Sequence, residues 1–171
     1  MKIKNLVYTA ILIAMAFILP TITQPIPYLS KYISPMHIPI LICGFICGWK
    51  YGLIAGFITP LLRGALLGMP PVFPIGVAMA FELATYGAIA GCLYKLLPKK
   101  DLFIFITLVS SLMVGRIVYS IAAFFLMGAP NGFVVLLIGT FTSAIFTIIL
   151  HLIVIPPIIL FLNKKGMNLN D

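Results

Sequence analysis

Two arginines and one glutamate stand inside the long apolar runs of this chain: Arg63, Glu82 and Arg116. A charge in hydrocarbon costs several kcal/mol unless it is paired, hydrated or turned into a protein cavity, so each marks a candidate site. Residues 60–87, PLLRGALLGMPPVFPIGVAMAFELATYG, carry Arg63 and Glu82 on either side of a proline-rich turn. At a rise of about 1.5 Å per residue, Arg63 lies roughly 6 Å below the outer end of its helix, Glu82 roughly 12 to 14 Å and Arg116 roughly 15 Å. Glu82 and Arg116 therefore share a depth. They either pair between two helices, with Thr85 and Tyr86 beside the acid and Tyr119 and Ser120 beside the base, or they hold a ligand directly. Arg63 has no acid near it in the pattern, because Asp101 and Asp171 belong to the opposite side. It either snorkels to headgroups or meets an anion. Tyr86, Tyr119 and Asn131, the last in a Pro-Asn turn, complete the candidate ligand contacts.

Other residues invite weaker readings. His37, at the outer start of a helix, is either interfacial or a hydrogen-bond donor beneath a loop. Thr140, Ser143, Thr147 and His151 fall on one face at spacings of three and four, a mildly polar stripe turned inward. His151 lies deeper and reads as a partner for a neighbouring helix. Enzyme chemistry lacks its parts: there are no paired carboxylates, no HExxH, no P-loop and no Ser-His-acid set at one depth. Cys43, Cys47 and Cys92 lie within apolar segments and read neither as disulfides nor as metal ligands, and Cys43 and Cys47, at helical spacing, read as small packing residues. No metal or cofactor is expected.

These side chains must be positioned by membrane helices. Of 171 residues, 63% are hydrophobic and 8% charged, and the mean hydropathy is +1.22, far too apolar for a soluble domain. With about 20 residues per crossing, the length allows about five or six spans and no soluble domain. The net charge of +8 is scattered between apolar runs, which excludes a nucleic-acid stripe. The pattern predicts one all-α membrane domain over 1–171, a compact six-transmembrane-helix bundle with helices at about 5–19, 36–48, 52–67, 73–94, 102–126 and 133–162. Cleavage after Ala14-Met15-Ala16 as a signal peptide is not expected, because the apolar run continues past it. Gly44, Gly48, Gly52, Gly56, Gly64 and Gly68 recur every four residues, with Pro60 at the missing beat, a face along which backbones can pack closely. Trp49, Lys50 and Tyr51 interrupt that run, which predicts a hairpin rather than one long helix with a lysine at its centre. Alternating the spans puts Lys2, Lys4, Lys50, Lys95, Lys99, Lys100, Lys164 and Lys165 on one side and Lys31 on the other. The lysine-rich side is the cytoplasm, so both termini are expected there and the proline-rich turns face outward.

Ala10 and Ala14, four apart in the first helix, would let another helix approach closely. That pair resembles the small-residue motif by which S components of energy-coupling factor (ECF) transporters dock on their shared membrane subunit. Residues 44–64, GFICGWKYGLIAGFITPLLRG, are similar to the glycine-repeated hairpin of the same family. The resemblance covers nearly the whole chain. It implies a multi-pass cell-membrane protein that captures a small vitamin from outside and works with a transmembrane coupling subunit and two cytoplasmic ATPases. Within the family, residues 68–87 look most like the pantothenate-type members. The rival readings are a stand-alone proton-coupled carrier in which Glu82 titrates, and a structural membrane protein whose charges only hold helices together.

Overall fold

A short helix that is apolar on nearly every face has to be enclosed by others, and HIPILICGFIC is such a helix. The computed structural model describes residues 3–23, 25, 34–98, 100–128, 130 and 132–164; among them it holds six α-helices and no strand. In chain order these are α1 (Ile3–Thr23), α2 (His37–Cys47), α3 (Trp49–Leu67), α4 (Val77–Leu96), α5 (Asp101–Met127) and α6 (Phe133–Lys164). Every residue of α2 except the half-buried Ile38 is buried. It sits against α1, α3, α4 and α6, while α3 runs along α4, α4 along α5, and α5 along α6. α1 leans on α2 and α3 and turns Leu6, Val7, Ile11 and Ile18 outward.

Four helical segments, Ile3–Thr23, Val72–Leu96, Asp101–Met127 and Phe133–Lys164, are long and apolar enough to cross a membrane. With 11 residues, α2 rises only about 16 Å, roughly half of a hydrocarbon core. The outward faces of these helices carry large apolar side chains such as Phe125, Phe146 and Ile153. Lipid accepts such a surface, and the helices satisfy their own backbone groups within it.

The expected hairpin is present, with a tighter break than the sequence suggested. Gly48 alone separates α2 from α3, at φ +93°, a conformation that favours glycine. Its N–H donates to Gly44 O at 3.1 Å and its carbonyl accepts from Gly52 N–H at 3.0 Å. Trp49 and Lys50 therefore form the exposed first turn of α3, with Lys50 Nζ 5.5 Å from the Trp49 ring centroid.

Two boundaries differ from expectation for reasons that proline makes plain. α1 passes through Pro20 to Thr23 instead of ending at residue 19. Side chains bond to carbonyls around it: Thr21 Oγ1 donates to Phe17 O at 2.9 Å, and Thr23 Oγ1 to Leu19 O at 3.2 Å. They do not replace the lost Pro20 N–H, whose acceptor would be Ala16 O, but they brace the turns on either side of it. α4 begins at Val77 rather than 73, after a single wide turn over Val72–Gly76 closed by Gly76 N–H donating to Pro71 O at 2.8 Å. Pro74 disfavours a helical Phe73, which is extended at φ −123°, ψ 138°. Pro156 and Pro157 lie within α6, which continues to Lys164.

Candidate functional site

Glu82 is placed by α4 six residues after the wide turn and is 1% exposed. Its Oε1 accepts from Tyr86 Oη, one helical turn along, at 2.6 Å. Arg116 Nη1, from α5, lies 3.2 Å from the same oxygen. Its other oxygen, Oε2, faces His37 Nε2 at 3.8 Å. The Arg116 guanidinium also lies 5.7 Å from the Tyr119 ring centroid, a cation–π distance. Three helices thus bring an acid, a base, a phenol and an imidazole together away from water. Room for the Tyr86 ring comes from Gly115 on α5, where an added Cβ would lie 2.2 Å from Tyr86 Cε1.

The cluster lines a cavity. A chamber of about 210 Å³ is bounded by Ser34, His37, Glu82, Arg116, Tyr119 and Thr147, among others. Arg116, Tyr119 and Ser143 also line a second chamber of about 400 Å³ between α5 and α6, which Thr140 borders as well. On the other side, Ser34, His37 and Met79 are shared with a third chamber of about 260 Å³ that Arg63, Met69 and Pro70 help to enclose. The central chamber is lined mainly by polar side chains and the two beside it are mainly apolar, so together they pair convergent polar groups with apolar walls, as small-molecule sites do. Ser120 Oγ and Thr140 Oγ1, 2.7 Å apart, tie α5 to α6 beside it. The arrangement can bind and orient a polar molecule, and among the described residues no group of three or more His, Cys, Asp or Glu could hold a metal ion.

A family model described as the substrate-specific component of ECF transporters matches residues 4–159. The chain belongs to that family. It matches no curated protein sequence and no solved structure. This S component is therefore a membrane substrate-binding subunit, part of a transporter rather than an enzyme.

Of the residues singled out in the S component's sequence, Glu82, Arg116 and Tyr119 line one cavity, and Tyr86 joins them through its bond to Glu82. Asn131 lies outside the described residues. Ala10 and Ala14 are exposed on the outer face of α1 among the described residues. His37 is 2% exposed and belongs to the charged cluster, not to the interface. The signal for that was α2 itself, because a helix apolar nearly all round directs its one polar side chain inward whichever face carries it.

Arg63 stands apart from the cluster. Its Nη1 donates to Phe17 O at 2.7 Å and to Thr21 Oγ1 at 3.0 Å, so it fastens α3 to α1 beside Pro20 while bordering the 260 Å³ chamber. Arg63→Met keeps an unbranched apolar stem and removes those donors. It is expected to destabilise the S component by about 1.5–3 kcal/mol, the usual worth of a charged hydrogen-bond donor. Hydrogen exchange should quicken selectively at residues 17–23. Unchanged exchange there would show that the clamp carries no weight.

Proposed function

We propose that this S component spans the cell membrane six times as one domain over 1–171, with both termini cytoplasmic, and captures a small vitamin from the outside. Pantothenate is the best candidate. Glu82, Arg116, Tyr86 and Tyr119 serve as polar anchors, with Arg63 at the edge of the cavity and Asn131, which falls between α5 and α6 in the sequence, as further contacts. The observation that carries this reading is the buried Glu82–Arg116 pair at 3.2 Å on the wall of a cavity, in a member of a family of substrate-specific components. Likeness in residues 68–87 to pantothenate-type members supports the choice of vitamin.

In this reading, the exposed Ala10 and Ala14 face of α1 docks on a transmembrane coupling subunit. Two cytoplasmic ATPases supply the energy, and the S component needs no cofactor of its own. An acid already engaged by Arg116 and Tyr86 is a poor proton carrier, which weighs against a stand-alone proton-coupled carrier.

The test is to purify the protein from cells grown in rich medium, denature it, and identify the released small molecules by mass spectrometry. Pantothenate at about one per chain is expected, and added pantothenate should raise the melting temperature in proportion to ln(1 + [L]/Kd). A different stoichiometric vitamin would replace pantothenate and leave the rest standing. Uptake by the purified chain alone in liposomes, driven by a pH gradient without ATPases, would overturn the assignment.

A further inference from the structure

Among the described residues, every glycine but one either sits where an added Cβ would come within 3.0 Å of a neighbour or turns the chain at a positive φ. Gly139 does neither. It lies inside α6, six residues after Phe133, and an added Cβ there would meet nothing within 4 Å. A glycine inside a helix weakens it relative to alanine, and at this position no close helix contact offsets that loss.

The empty space beside Gly139 belongs to a chamber. Leu136, Gly139 and Ser143 follow one another at spacings of three and four, and with Val135, Thr140 and Tyr119 they border the 400 Å³ space between α5 and α6. Arg116, Tyr119 and Ser143 carry that space on into the 210 Å³ chamber lined by Glu82. Gly139 is itself exposed, so a molecule in the chamber can lie directly against its backbone. The next residue shows the contrast. Ile138, about 100° round the helix and at nearly the same depth, is 61% exposed and walls a separate groove of about 530 Å³ with Leu137, Phe141 and Ile145. Large side chains stand on that face of α6, and the chamber face has none at 139.

We propose that Gly139 fixes the size of the group that the substrate places between α5 and α6. With no side chain at 139, the helix backbone is the floor of the chamber. The group against it is the broad, mainly apolar part of the molecule, since Val135 and Leu136 wall the space there. The polar part is directed towards Ser143 and Arg116, where the two chambers join. A side chain added at 139 enters the same space, alanine taking little of it and leucine a large share. Gly139 therefore selects by volume and not by charge. The inference rests on the substrate-binding reading and adds the residue that sets the width of the ligand admitted.

The first arm of the test needs no ligand. The full chain carrying Cys92→Ser keeps Cys43 and Cys47, both buried. It is placed in lipid nanodiscs with either Gly139→Cys or Ile138→Cys and treated with a charged, water-soluble methanethiosulfonate. A thiol reacts as its thiolate, which forms in water and not among acyl chains. Mass spectrometry should show the label at 139 and not at 138. No label at 139, or equal labelling at both positions, overturns the proposal. The second arm measures pantothenate affinity in Gly139→Ala, Gly139→Leu and, on the other face, Ile138→Phe. Affinity should fall by less than about threefold for alanine and by about tenfold or more for leucine, with Ile138→Phe binding as wild type does. The ligand-free melting temperature of Gly139→Leu should be no lower than that of wild type, because leucine is the better helix former. Unchanged affinity in Gly139→Leu overturns the proposal, as does an equal loss in Ile138→Phe, which would trace the effect to the helix as a whole. If the wild-type protein does not bind pantothenate, the choice of vitamin falls, and the labelling result decides by itself.

Discussion

Glu82→Ala is expected to destabilise the protein by about 3–5 kcal/mol, because it leaves the largely buried Arg116 cation without its counter-charge. The loss is larger than that of one hydrogen bond. Arg116 Nη1 loses the carboxylate at 3.2 Å and Tyr86 Oη loses its acceptor at 2.6 Å, while Arg116 Nε is already buried without a partner. At about 2–4 °C per kcal/mol for a chain of this size, melting in detergent should fall by about 6–20 °C. The pair Glu82→Met and Arg116→Met should recover most of that, since replacing a whole buried ion pair with apolar side chains is often neutral or stabilising. Glu82→Gln should fall between them, as its amide oxygen can still accept from Tyr86. High salt should not reproduce the effect, because a buried pair is little screened. A Glu82→Ala protein melting within about 2 °C of wild type would show that the carboxylate is dispensable to the fold. Ligand affinity in the double variant then separates holding helices from holding substrate.

That pair was legible because helix geometry converts residue number into depth. Counting from the proline turn and from the turn at 128–132 puts Glu82 and Arg116 at one level, and apolar surroundings force opposite charges at one level to find each other. Arg63 was only half legible. The sequence shows no acid near it, but its partner is a backbone carbonyl, Phe17 O, and every residue carries one of those. For His37 the sequence left an interfacial place and a hydrogen-bond donor beneath a loop both open, and the enclosure of α2 along its length, which buries His37, could not be read from it. The helix end at residue 23 escaped because proline reads as a stop signal, and the helix start at residue 77 escaped because Pro74 holds Phe73 extended and delays the helix. The glycine repeat of α2 and α3 was read correctly as a close-packing face. Its partner was missed, although Gly87 and Gly91 in α4 have the same spacing of four.

That partnership sets up the second large effect. Gly87→Ala is expected to destabilise the protein by about 1–3 kcal/mol or more, the range for overpacking a tight contact. An added Cβ at Gly87 would lie 2.2 Å from Gly52 O, and one at Gly56 would lie 2.2 Å from Leu83 O. Both obstacles are backbone, so no rotamer change relieves them and α3 and α4 have to move apart. Gly87→Leu should abolish the folded monodisperse protein altogether. Gly139→Ala on α6 is the control: an added Cβ there meets nothing within 4 Å, and alanine should hold a helix better by about 0.5–1 kcal/mol. Melting temperatures of the two alanine variants should therefore move in opposite directions. Equal shifts would mean that helix propensity, not the seam, governs both positions. The seam also reaches the site, because Glu82 and Tyr86 ride on the same helix as Leu83 and Gly87. Parting α3 from α4 shifts the carboxylate relative to Arg116 on α5, so Gly87→Ala should weaken ligand binding although the residue lines none of the three chambers around the charged cluster.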